Sequence, residues 1–131
     1  VFLENKTGRI NDVVHTLGAN GINMHAFSMA ETADFGILRL IVSDVDKAVE
    51  VLREKNFAVM STDVVCLSCA NVPGSLAVVL EYLAEEQIFI EYMYAFAQAD
   101  QAHVVIKPND MSQCLKVLEA HHCHVLAKEE L

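Results

Sequence analysis

Two short segments hold the side chains best suited to chemistry. One is Glu4-Asn5-Lys6-Thr7-Gly8-Arg9-Ile10, the other Ala70-Asn71-Val72-Pro73-Gly74-Ser75-Leu76. Each sets an Asn three residues ahead of a Gly, directly before an apolar periodic run. Glycine permits unusual φ and close backbone approach, and Pro73 presets a first helical turn. The N–H groups that open a helix, with their partial positive charge, favour an anion such as a carboxylate. An Asn amide is both donor and acceptor, so it can hold an ammonium or a carboxylate. One Asn-x-x-Gly alone reads as a turn and a cap. Its recurrence at a fixed offset raises the binding reading to equal weight.

Other clusters weigh less. In Cys66-x-x-Cys69 the two thiols sit inside a strand-like run, where i and i+3 point to opposite faces, so two packed cysteines are expected rather than a metal clip. His121-His122-Cys123-His124 has the composition of zinc or copper bait. The repeat described below sets Cys123 on the core-type Phe57 and His122 on the turn-type Asn56, and a His near a helix end complements the dipole. Metal binding is therefore the minority reading, and no metal or cofactor is expected. His15 is expected in solvent, and His25 near the proposed ligand site, where it could contact ligand. Nothing forms a nucleophile–base–orienter set or a phosphate-binding glycine loop, and the carboxylates Glu50, Glu54, Glu81, Glu85 and Glu86 read as solvated helix faces. An enzyme is not expected.

The elements that position the two turns come from a duplication. A shift of 66 positions, without a gap, lays Gly8 on Gly74, Val13 on Val79, Leu17 on Leu83, Ile22 on Ile88, Asp44 on Asp110 and Leu52 on Leu118. Ile10, Val13, Val14 and Leu17 follow one helical face, as do Leu76, Val79, Leu80 and Leu83. Val45, Ala48, Val49 and Leu52, with Met111, Cys114, Leu115 and Leu118, predict a second helix in each half, capped by Asp44 and Asp110. Strands are expected over Ile22–Ala30, Ile37–Val42 and Phe57–Thr62, and over Val64–Leu67, Ile88–Phe96, Val104–Lys107 and Cys123–Ala127. Ala33-Asp34-Phe35-Gly36 and Ala99-Asp100-Gln101-Ala102 read as hairpin turns.

Each half thus reads βαββαβ, and the fold class is α+β: two ferredoxin-like units, residues 1–63 and 64–131, each with two helices on one face of an antiparallel sheet. A unit of this size is marginal alone. The strands Ile37–Val42 and Phe89–Phe96 are apolar nearly without alternation, which predicts cover on the helix-free faces and edges, by side-by-side packing of the halves and then homodimerisation.

Composition narrows the classes further. Of 131 residues, 53% are apolar and 21% charged, which excludes a disordered chain. The net charge of −9 argues against nucleic acid. No apolar run spans a membrane, and four cysteines do not make a secreted disulfide scaffold, so the cytoplasm is the default. Val1 opens on residues of mid-strand character, without Met, which predicts residues upstream of it.

Asn-x-x-Gly-x-Ile/Leu before an apolar helix, followed by Asn20-Gly21-Ile22-Asn23-Met24, resembles the ACT domain, a small-molecule-sensing regulatory module of amino-acid metabolism. Val72-Pro73-Gly74-Ser75-Leu76 is similar to a typical ACT turn, and the whole chain resembles stand-alone tandem ACT proteins of bacteria. The resemblance implies that a free amino acid binds at an interface between units. Asn5 and Gly8 would meet its α-amino and α-carboxylate groups, with Lys6, Thr7, Arg9 and Ile10 around them, and Asn23 with Met24 of a neighbouring unit would complete the grip. Asn71, Val72, Pro73, Gly74, Ser75 and Leu76 are the second-half equivalents, but Phe89 replaces the second Asn. Phe27, Tyr92 and Tyr94 lean toward an aromatic, branched-chain or histidine ligand. The alternative is a protein-interaction module, such as a regulatory subunit docking on an enzyme of amino-acid metabolism.

Overall fold

The computed structural model describes residues 1–32 and 34–127. Ala33, within the first predicted hairpin turn, and the last four residues of the second half lie outside them. The chain divides into two compact units, Val1–Thr62 and Asp63–Leu131. Among the described residues no helix is long and apolar enough to cross a membrane.

The first unit runs β1 (Phe2–Glu4), α1 (Arg9–Ala19), β2 (Met24–Glu31), β3 (Phe35–Val42) and α2 (Val45–Glu54). Its antiparallel sheet has the order β1-β3-β2, with β2 at one edge. The second unit runs β4 (Val65–Ala70), α3 (Ser75–Glu85), β5 (Ile90–Gln98), β6 (Gln101–Pro108), α4 (Met111–Ala120) and β7 (His124–Val125), in the order β5-β6-β4-β7. The two units are ferredoxin-like, and the repeat extends to defects. Pairing slips between Met24 and Ala26 in one sheet and between Ile90 and Tyr92 in the other, at equivalent positions.

Each core lies between one sheet face and two helical stripes. Leu3, Val13, Leu17, Leu38 and Leu52 form the first, with Ile22 and Phe57 closing it. Leu67, Val79, Leu83, Ile106 and Leu118 form the second, with Ile88 closing it. The stripes are rotated from those the spacing predicts. Val14, Val45 and Leu115 are exposed, while Thr16, Val51 and Val117 are buried, so the stripes of α1, α2 and α4 centre on the i, i+3, i+4 triplet nearest the sheet.

All four helices end alike, and that ending corrects four predicted strand starts. A residue at positive φ follows the cap: Gly21, Asn56, Gln87 and His122. The next N–H then reaches back to the last turn, Ile22 to Leu17 O, Phe57 to Leu52 O, Ile88 to Leu83 O and Cys123 to Leu118 O, at 2.9, 3.0, 3.0 and 2.9 Å. This is the Schellman arrangement, whose apolar last residue packs back onto the core. Ile22, Phe57, Ile88 and Cys123 are therefore helix-ending residues, and β2 and β5 begin two residues after theirs.

The predicted strand Phe57–Thr62 reduces to one bridge, Ala58 to Phe2. In that antiparallel register Val59 faces Val1. The predicted Cys123–Ala127 shortens to His124–Val125. By contrast, β3 and β6 are longer than the apolar runs suggested, because β1 and the hairpins bring Phe35–Gly36 and Gln101–His103 into the ladders.

Asp44 accepts a hydrogen bond from Lys47 N–H at 3.1 Å and Asp110 one from Gln113 N–H at 3.0 Å, capping α2 and α4 as predicted. Asp44→Ala and Asp110→Ala should each cost about 1 kcal/mol, read as a lower urea midpoint with an unchanged m-value. Burial pushes the Cys66 thiol from 9.0 up to about 11, and burial followed by the Asp110 charge raises Cys114 as well. The folded state then holds these protons more tightly than the unfolded chain. Their contribution is complete below pH 9.0 and falls as pH rises toward about 11. Melting temperature should drop over that window, and Cys66→Ala should flatten the drop.

Candidate functional site

Gly8 and Gly74 open α1 and α3 in one left-handed conformation, φ 92° and ψ −11° in the first, φ 88° and ψ −14° in the second. Neither helix start has a side-chain cap, whereas α2 and α4 carry their aspartates. The turns before them close on backbone alone. Arg9 N–H donates to Lys6 O at 3.4 Å, and Ser75 N–H to Val72 O at 3.3 Å. The amides one and two residues further on, of Ile10 and Asn11 and of Leu76 and Ala77, are the donors a helix start leaves over. A carboxylate placed there would receive them together with the positive end of the helix dipole.

The turns are fastened to their own hairpins. Asn5 donates from Nδ2 to Thr32 O, just past β2, at 3.3 Å, and its Oδ1 lies 3.7 Å from the place a Cβ on Gly36 would occupy. That tie spends one donor and leaves the carbonyl oxygen of the amide to accept from an ammonium. In the second unit the fastening uses the main chain: Asn71 N–H donates to Asp100 O at 2.9 Å. Asn5, Lys6, Thr7, Asn71, Val72, Pro73 and Gly74 are all exposed, with Gly8, Arg9, Ile10, Ser75 and Leu76 half-buried.

The charged neighbours have other partners. Lys6 Nζ meets Glu4 Oε2 at 2.9 Å, and this hydrogen bond, then the Lys6 charge, holds the Glu4 carboxyl below its ordinary range. The Arg9 guanidinium lies 4.4 Å over the Phe57 ring and contacts Asp12 Oδ2 at 3.3 Å, while its Nε is buried without a partner. Arg9 thus covers the core beside the turn.

Asn23 stands apart from Asn5. Its N–H donates to Ser43 Oγ at 2.9 Å at the opening end of β2, and Asn5 holds the residue after the closing end. Eight residues of strand separate the two, roughly 26 Å at ordinary strand rise. One unit therefore cannot bring both amides to one small molecule. Met24 follows Asn23 and is half-buried, packed against the core, and His25 occupies the bulge. In the second unit Phe89 takes the place of Asn23, 65% exposed, its N–H donated to Asn109 Oδ1 at 3.0 Å.

The chain matches the ACT domain pair over residues 1–131. It belongs to the ACT domain pair family. A solved protein of Bacteroides thetaiotaomicron is 52% identical, with a TM-score of 0.94 over 98% of this chain and 90% of that one. The ligand-free regulatory subunit of aspartate kinase from Thermus thermophilus is 16% identical, with a TM-score of 0.68 over 92% of this chain and 87% of that one, which shows a shared fold. The aspartokinase alpha and beta subunits give 21% identity and a TM-score of 0.59 over 90% of this chain and 85% of that one. No curated protein matches. The ACT pair is a fold typical of regulatory proteins that bind amino acids.

The histidine-rich segment disperses along its turn. His121 stacks on Tyr82 with ring centroids 3.7 Å apart, His122 takes the left-handed position, Cys123 packs on the core, and His124 enters β7. Among the described residues no three His, Cys, Asp or Glu gather as a metal site. Cys66 and Cys69 point to opposite faces of β4, since Cys69 packs with the helix-side core and Cys66 pairs opposite Val105 outside it. Sequence reasoning missed His103, buried with Nδ1 unpartnered and set edge-on to Phe96 at 5.1 Å. Its only signal was a polar residue inside an apolar strand.

An added Cβ on Gly8 or Gly74 meets nothing within 4 Å. The positive φ alone strains other residues, so Gly8→Ala and Gly74→Ala should each cost roughly 1–2 kcal/mol without a clash, measured by chemical denaturation.

Proposed function

We propose that this ACT pair is a non-catalytic regulatory sensor whose first turn binds a free amino acid at an interface with a neighbouring unit. The observation that carries the reading is the unequal treatment of the helix starts. The chain spends an aspartate on α2 and α4 and leaves α1 and α3 open behind a left-handed glycine. An amino-acid carboxylate fits the open amides, and the Asn5 carbonyl oxygen fits the ammonium.

Asn23 enters from a second copy of the chain. Because the two amides of one unit lie at opposite ends of β2, an antiparallel neighbour along that edge strand would return Asn23 to the other unit's Asn5. The homodimer is then part of the site. Phe27 and Met29, 62% and 51% exposed on β2, favour an apolar or aromatic side chain on the ligand. The second turn, with Phe89 in place of Asn, is the weaker of the two. Ligand binding would act by favouring one packing of units over another, through different affinities for the two states, and so signal to a partner enzyme in the cytoplasm.

An amino acid of about ten heavy atoms at roughly 0.5 kcal/mol each gains about −5 kcal/mol, a Kd on the order of 0.1–1 mM. At tens of millimolar the right amino acid should raise the melting temperature, since it binds only the native state. Asn5→Ala and Asn23→Ala should each weaken calorimetric affinity by about tenfold or more, while the urea midpoint stays near the parent's and Asn71→Ala leaves affinity unchanged. Equal affinity in both first-unit variants would refute the site. If no proteinogenic amino acid shifts melting, docking on a protein partner becomes the better account of the exposed β2 edge.

A further inference from the structure

The geometry points to Cys69 and Cys123 as a dithiol that closes reversibly into a disulfide, tying β7 to β4. This is independent of amino-acid binding. The register pairs Leu67 with Val125 and Ser68 with His124, so the next pair along is Cys69 and Cys123. Leu126 N–H donates to Cys66 O at 2.7 Å, which makes that pair hydrogen-bonded. Pairs alternate along an antiparallel ladder, so extending this one a single step beyond β7 sets Cys69 and Cys123 at a non-hydrogen-bonded position, the closer kind, for which Cα atoms lie about 4.5 Å apart. A disulfide requires Cα atoms roughly 4.4–6.8 Å apart.

The side chains also face the same way. Both thiols are half-buried and both pack against the same helix-side core. Cys123 is held there by the helix ending, its N–H fixed on Leu118 O. The Cys123 thiol is raised first by burial and then by the nearby Cys69 sulfur. Cys66 sits on the other sheet face and Cys114 within the core helix, so neither competes for the bond.

The oxidant is a small-molecule disulfide such as oxidised glutathione. One thiolate attacks it, the glutathione S–S bond breaks, and one glutathione leaves as a thiolate. The second cysteine's thiolate then attacks the protein sulfur of the mixed disulfide, and the other glutathione leaves. The two cysteines lose two electrons and two protons in total, and one disulfide is reduced to two thiols. The new bond closes residues 69–123 and anchors β7, a strand of two residues. Cys69 lies two residues before Asn71, so oxidation also stiffens the strand that delivers the second turn.

The test incubates the full chain with oxidised glutathione under native conditions and maps the linkage by non-reducing digestion and mass spectrometry. Expected are a monomer lighter by two hydrogens, a Cys69–Cys123 linked peptide, reversal by dithiothreitol, and a melting temperature higher by about 4 °C or more. Cys69→Ser and Cys123→Ser should each retain a glutathione adduct on the remaining thiol, and the Cys66→Ala, Cys114→Ala double variant should still close the bond. Stable glutathione adducts on the parent, a link through Cys66 or Cys114, a disulfide between two chains, or no reaction at either thiol would each overturn the assignment.

Discussion

One-sided burial governs each unit. Two helices can hide their apolar stripes only against one sheet face, and the stripes settle on the triplets that meet it, Val13-Thr16-Leu17 and Ala48-Val51-Leu52 in the first unit. With the helices fixed in that layer, the turns that enter α1 and α3 must emerge at the end of the sheet where β1 and β4 finish. There the backbone reverses through a left-handed glycine, and the opening amides are delivered to the surface. The placement of the candidate site is thus a consequence of the core.

Helix ends divide the work. Four endings are spent on structure, each turning the chain through a positive-φ residue and driving an apolar side chain back into the core. Two beginnings are spent on structure as well, closed by Asp44 and Asp110. The remaining two are held in shape by glycine and by ties to the hairpins, with no side-chain cap hydrogen bond. A helix start that is rigid and open is preorganised for an anion, because its dipoles need not reorient on binding.

The units have diverged at exposed and turn positions. The Schellman endings, caps, bulges and glycine turns recur at the same offset, since each is dictated by local backbone geometry. Asn23 against Phe89, Arg9 against Ser75 and the Asn5 side-chain tie against the Asn71 main-chain tie differ. Those positions are exposed or lie at the turn, where the fold imposes no single residue and function can choose.

The sequence by itself determined the repeat, the order of elements, both aspartate caps, the opposite facing of Cys66 and Cys69, and the two glycine turns. All of these follow from local periodicity, or from residues whose backbone or capping chemistry admits few alternatives. Tertiary structure decided what depends on contacts between distant segments. It set which residues of each helical stripe are buried, and it made Ile22, Phe57, Ile88 and Cys123 helix endings. It left Ala58 a single bridge and set both Cys69 and Cys123, 54 positions apart (123 − 69), against the same core. Apolar residues at a helix end and at a strand start look the same in one dimension, and only the hydrogen bond reaching back to the last turn separates them.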